Sequence, residues 1–147
     1  SGVIANNHSH NASGTLSTSF QKLSWLRLSA TLTAKYYWDK SSIMKLNVLS
    51  SYITNATLYL FPTKKMELKM QFYNLTNEIT DGQYHTCSLL DGNFNYKINN
   101  VWELGISGTN LFNSKSYSIK QNAGINTFNT ILPLRGREIL LRLQLRL

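Results

Sequence analysis

Residues Ser24 to Asp39 read SWLRLSATLTAKYYWD, and their alternation decides the fold. The even positions are Ser24, Leu26, Leu28, Ala30, Leu32, Ala34, Tyr36 and Trp38, and the odd ones are Trp25, Arg27, Ser29, Thr31, Thr33, Lys35, Tyr37 and Asp39. One face is apolar and the other polar. A period of two sustained this long requires a strand, because a helix would scatter the leucines around its circumference. The C-terminus repeats the pattern: Ile139, Leu141, Leu143, Leu145 and Leu147 alternate with Leu140, Arg142, Gln144 and Arg146, and only Leu140 is out of phase.

Between these two segments the same rhythm recurs. Met44, Leu46, Val48, Tyr52, Ala56, Leu58 and Leu60 form one apolar series, and Met66, Leu68, Met70 and Phe72 oppose Lys65, Glu67, Lys69 and Gln71. Leu90, Phe94, Tyr96 and Ile98 oppose Asp91, Asn93, Asn95 and Lys97, while Trp102, Leu104 and Ile106 oppose Glu103, Ser107 and Thr109. Weaker strands at Gly14 to Leu23 and Ser116 to Gln121 bring the total to about eight. Turn chemistry places the connections at Asp39 to Ser41, Pro62 to Lys64, Glu78 to Gln83, Ile98 to Asn100 and Asn113 to Lys115, with a longer loop from Asn122 to Arg137. The chain thus divides into a polar N-terminal segment, 1–13, and a β-barrel region, 14–147. No helix is required.

Length and composition choose among the antiparallel architectures. The chain has 147 residues, the size of one domain or of a piece of a larger one. Charged residues are 15%, well under the roughly 25% of an average soluble domain, whereas 16 Asn, 16 Ser and 13 Thr make nearly a third of the chain. A soluble barrel or sandwich needs charge on its outer wall. These strands are also longer than the usual 5 to 6 residues and fit the roughly 9 to 11 of a tilted membrane strand. The sequence therefore predicts an all-β, antiparallel, up-and-down array of transmembrane barrel strands, with lipid outside and a wet, uncharged lumen inside. The expected lipid-facing residues are Leu26, Leu28, Leu32, Leu58, Leu60, Leu68, Leu104, Ile139, Leu141, Leu143, Leu145 and Leu147. Aromatics near strand ends, at Tyr36 to Trp38, Tyr59, Phe61, Phe72, Tyr73 and Trp102, fit an interfacial girdle.

The formal charge of +8 raises nucleic acid as a partner, but Lys35, Lys45, Lys69, Lys97, Arg142 and Arg146 sit on separate segments and form no run, so no nucleic-acid partner is expected. A single cysteine, Cys87, excludes an internal disulfide and a cysteine-only zinc site. His8 with His10 in the N-terminal segment, and His85 with Cys87 on a strand, are pairs short of a metal site, so neither metal nor cofactor is expected. No Gly-x-Ser-x-Gly nucleophile motif is present, and the expectation is that the chain is not an enzyme. Asn-x-Ser/Thr sequons at Asn7, Asn11, Asn55 and Asn74 are what chance produces in so Asn- and Ser-rich a sequence. Gly105 and Gly108 inside a strand suggest close approach by another backbone or a plug. The start, SGVIANNHSHNASG, has no charged n-region with an apolar core, so the chain reads as a mature protein or as part of a longer one.

The segment LDGNFNYK (90–97), then Trp102-Glu103-Leu104, Thr109-Asn110-Leu111-Phe112-Asn113, Tyr117 and the ending LRGREILLRL (134–143) resembles the closing strands of TonB-dependent outer-membrane receptors, nearest to the barrel families of Bacteroidetes-type bacteria. The matching family motif is Asn110, Leu111, Phe112 and Asn113 together with Arg137. The resemblance is clearest over 62–147. It implies a bacterial outer-membrane location and a role in the C-terminal barrel wall of a nutrient receptor. The implied partners are outer-membrane lipid, the barrel-assembly machinery and, for a fragment, the remaining strands and plug of a barrel of about 22 strands. Two features depart from the family: Leu147 stands where an aromatic is usual, and no plug or energy-coupling segment is present. Two other readings use the same strands. One is a complete eight-stranded structural or adhesive outer-membrane barrel, and the other a soluble lipocalin-like carrier with its apolar face turned inward.

Overall fold

The computed structural model describes residues 7–41, 47–80, 82–123 and 126–145. They form nine strands: β1 (Asn7–Leu23), β2 (Leu26–Ser41), β3 (Asn47–Thr63), β4 (Met66–Thr80), β5 (Gln83–Lys97), β6 (Trp102–Thr109), β7 (Ser116–Ala123), β8 (Asn126–Pro133) and β9 (Glu138–Leu145). Seven of them make one sheet in the order β1-β2-β3-β4-β5-β6-β9, and β7 and β8 pair separately. Every pairing is antiparallel. The turns joining β1 to β2 and β3 to β4 are only two residues long, at Ser24-Trp25 and Lys64-Lys65.

Three expectations change. There are nine strands instead of about eight, because β8 occupies the stretch read as loop; its Asn129 and Thr130 hid a strand that Phe128, Ile131 and Leu132 can sustain. Strand β1 begins at Asn7, so His8 and His10 of the polar N-terminal segment lie in the sheet, where the His10 ring stacks on Trp38 at 5.7 Å between centroids. The sheet does not close into a barrel: among the described residues β1 and β9 each pair on one side only.

Strands β6 to β9 form one long hairpin with a break in it. The β6–β9 ladder ends at Thr109 opposite Glu138, and the β7–β8 ladder resumes at Ser116 opposite Pro133. Six residues, 110–115, lie outside the ladders on one arm and four, 134–137, on the other, so the outer half of the hairpin departs from the plane of the inner half. Beyond the break, β7 packs against β4 and β5.

The sheet has no core of the usual kind. Its accessible surface is 10600 Å² for 16.8 kDa, whereas a compact globular chain of that mass exposes about 7,600 Å². Among the described residues the buried apolar ones are Leu49, Leu75 and Cys87, and large side chains such as Leu16, Leu32, Leu141 and Leu143 stand exposed. An amphipathic sheet must cover its apolar face, and among the described residues most of that face is left open, with Leu111 and Phe112 lying at its end.

Candidate functional site

The ladders convert alternation in sequence into two continuous surfaces. One rung runs Leu26, Leu60, Leu68, Phe94, Ile106, Leu141, from β2 across to β9. The next rung on the same face runs Phe20, Leu28, Leu58, Met70, Gly92, Gly108, Ile139. Below them lie Met66, Tyr96, Leu104, Leu143, and then Trp102 with Leu145. Eleven of the twelve residues expected to face lipid therefore share one face of the sheet; Leu147 lies outside the described residues. Phe20, Met70, Phe72, Leu90, Phe94 and Ile106 belong to the same surface and complete it.

The apolar band is oblique to the strands. Its lower edge is Leu145 and Trp102 on β9 and β6, one rung higher at Met66 and Tyr96 on β4 and β5, and one rung higher again at Leu26 on β2. Its upper edge climbs in step, from Ile139 through Leu90 and Phe72 to Leu32 and Leu16. A climb of four residues over five strand spacings, at about 3.4 Å per residue and 4.8 Å per spacing, is a slope of about 30°. On β9 the band spans Ile139 to Leu145, about 20 Å along the strand.

Above the band the same face turns polar. Asn74 donates to Ser88 Oγ at 2.8 Å, Thr76 and Thr86 hydroxyls meet at 3.1 Å, and Tyr36 and Tyr52 hydroxyls meet at 3.1 Å at the boundary. Farther out, Ser50 donates its backbone N–H and its hydroxyl to Glu78 Oε2 at 3.0 and 2.8 Å, where the β3–β4 ladder ends. Polarity on this face thus rises from the apolar band through the Tyr36 and Tyr52 hydroxyls to the hydrogen-bonded Glu78 carboxylate.

The opposite face carries the hydroxyl, amide and charged residues. Thr15 meets Thr33 at 3.1 Å and Ser17 meets Thr31 at 3.3 Å across β1 and β2. Toward the short turns, the Arg27 guanidinium lies over the Phe61 ring at 5.3 Å and the Lys69 ammonium over the Tyr59 ring at 5.6 Å. Arg142 is on this face and donates to Asn95 Oδ1 at 3.2 Å, while Arg146 lies outside the described residues. Leu140, the residue out of phase, is on the polar face too. His85 and Cys87 share this face on β5, opposite Asn77 and Leu75. Among the described residues no group of three His, Cys, Asp or Glu side chains is placed to hold a metal.

The Asn110 to Asn113 motif forms the bend at the hairpin break. Asn110 and Asn113 both take left-handed backbone, φ 48° and 56°, a conformation asparagine tolerates better than most residues. The buried Asn110 amide donates to Ser114 O at 2.9 Å and to Arg135 O at 2.7 Å, and its Oδ1 accepts from Ser114 N at 2.9 Å. Its own N–H donates to Asp91 Oδ1 at 2.8 Å. The Arg137 N–H donates to Asn113 Oδ1 at 3.2 Å, so Arg137 takes part through its backbone. Leu111 extends the β5 edge, donating to Leu90 O at 2.8 Å, and Phe112 packs edge-on against Phe72 with centroids 6.3 Å apart. The motif therefore staples both arms of the hairpin to the end of the apolar face.

Side chains, rather than another backbone or a plug, fill the space that two glycines leave. A Cβ on Gly108 would lie 2.6 Å from Leu111 Cδ2, and one on Gly105 would lie 3.2 Å from the Arg142 guanidinium. We expect Gly108→Ala to destabilise the folded chain by about 1 to 3 kcal/mol through overpacking. Leu111→Ala on the Gly108→Ala background should recover part of the loss. Denaturant midpoints of the refolded chain in detergent check both; an unchanged midpoint for Gly108→Ala would mean that Leu111 does not seat there.

Comparison with protein-family models, with curated proteins and with solved structures gives no match for this chain.

Proposed function

We propose that this chain is a section of the wall of a bacterial outer-membrane β-barrel, with its Leu-rich face in lipid and its Ser, Thr and Asn face lining a wet lumen. The observation that carries the reading is the oblique apolar band. Strands of membrane barrels tilt by roughly 35 to 45° and present an apolar belt about 25 Å tall, and a belt level with the membrane must then step along successive tilted strands. The slope of about 30° approaches that tilt, and about 20 Å along a strand so tilted gives a belt about 17 Å tall on β9, shorter than the full belt. The stagger is that of tilted barrel strands in general; the low charge of the chain, 15%, supports lipid rather than a ligand cavity on the apolar side.

Closure of such a wall requires partners for β1 and β9, since lipid cannot satisfy open strand edges. On the resemblance of residues 90–143, the complete wall is that of a TonB-dependent receptor importing a scarce nutrient, to which this chain contributes the C-terminal strands. By that reading the chain alone neither binds nor transports.

The test is solubility against β content. Refolded without detergent, the chain should aggregate; in a mild detergent or a short-chain phospholipid bilayer it should give a strand-dominated circular dichroism spectrum and resist protease. A monodisperse monomer that unfolds cooperatively in plain buffer would overturn the reading and favour the lipocalin-like alternative.

A further inference from the structure

The polar face has an apolar island. Where Thr15 and Thr33 are joined by hydroxyls, the same rung continues through Ile53, Leu75 and Cys87. Leu75 and Cys87 are each only 3% exposed, although nothing in the seven-stranded sheet covers that face. Their cover is β7, which reaches across from the hairpin break to pack on β4 and β5. Its position is fixed by the Asn77 amide, one rung farther out on the same face, which donates to Ser118 O at 2.8 Å. The Asn77 Oδ1 is held in turn by the Ser51 hydroxyl at 2.6 Å. Asn77 and Ser118 are both buried.

We propose that the β7–β8 hairpin is a strap folded across the polar face and hinged at the break, with Asn77 as its latch. Among the described residues its attachments are the cover over Leu75 and Cys87, the Asn77 bond to Ser118 O, side-chain hydrogen bonds of Tyr117 with Tyr73 and of Ser114 with Cys87, and the Ser114 hydroxyl on Ser88 O. The main packing on the sheet is through β7, and β8 carries exposed Phe128, Ile131 and Leu132 on the far arm. Segments with so few buried contacts open at low free-energy cost, as units. The hinge lies where the two ladders are interrupted, at 110–115 and 134–137, whose arms are joined there by the Asn110 and Asn113 side chains and by Leu134 N–H on Lys115 O. The strap's placement stands on the sheet geometry. That it narrows a passage rests on the reading of the polar face as a lumen.

Cys87, the single cysteine of the chain, lies beneath the strap and reports on it without competing thiols. The experiment measures its rate of modification by a charged, water-soluble maleimide in the full chain refolded into phospholipid bilayers. The native thiol should react slowly. Asn77→Ala should raise the rate about threefold to tenfold, the population shift expected for loss of one buried hydrogen bond. Replacing 116–133 by a short Gly-Ser link should raise it more than Asn77→Ala does, with strand content retained by circular dichroism. A native rate equal to that of the denatured chain, or no change in either folded variant, would overturn the strap. A lipid-soluble maleimide separates the two claims: if the strapless chain reacts with that reagent and not with the charged one, the polar face meets lipid and the barrel reading fails while the strap stands.

Discussion

Leu58→Arg should abolish stable insertion of the chain into bilayers, whereas Thr57→Arg, one residue away, should leave it nearly intact. The two positions are neighbours on β3 and point to opposite faces. Leu58 sits mid-band, between Leu28 and Met70 on its rung, and Thr57 lies between Ser29 and Gln71 on the polar side. An arginine near the bilayer midplane on the lipid side costs roughly 2 to 4 kcal/mol, which reduces the inserted population roughly 30- to 1,000-fold at equilibrium. An arginine at position 57 would join Arg27, Lys69 and Arg142 on the polar face. The measurement is the protease-protected fraction after refolding into preformed vesicles, for both variants beside the native chain. Equal fractions for the two variants would mean that the faces do not divide lipid from water, and a deficit for Thr57→Arg alone would invert the assignment.

The same face assignment shows what was legible in the sequence. Alternation is strong in β4 and β9, each with four Leu, Met, Phe or Ile side chains at a spacing of two, and in β2, where Leu26, Leu28 and Leu32 frame Ala30, so their apolar faces follow from one chain segment at a time. The slope of the band was not legible, because it depends on cross-strand register, which relates residues 26 and 141 through four intervening strands. Strand β8 was missed for a different reason: Asn126, Thr127, Asn129 and Thr130 are turn formers by composition and take strand geometry here by pairing with β7. Leu75 and Cys87 break the polar phase of their strands, a signal that another element covers that face. Identifying β7 as the cover required the hairpin to bend at Asn110.

That bend sets the second large effect. Asn110→Ala should destabilise the folded chain by about 2 to 4 kcal/mol, since it takes their partner from the carbonyls of Ser114 and Arg135 and the N–H of Ser114 in a half-buried turn. Each such group costs about 1 to 3 kcal/mol when left unsatisfied, and water reaching the opened turn recovers part of the total. Alanine also takes the left-handed backbone less readily, which adds about 1 kcal/mol. Asn110→Gly separates the two causes: it removes the same hydrogen bonds and relieves the backbone, so it should lie about 1 kcal/mol above alanine in stability and still well below the native chain. Unfolding by guanidinium in detergent micelles gives the three midpoints. Near-native stability in the glycine variant would assign the geometry of the turn to backbone conformation alone and leave the amide bonds to Ser114 and Arg135 without weight. With the bonds lost, Leu111 and Phe112 lose their seat on Gly108 and Phe72, and the β6–β9 arm should become the first part of the sheet to exchange its amide hydrogens.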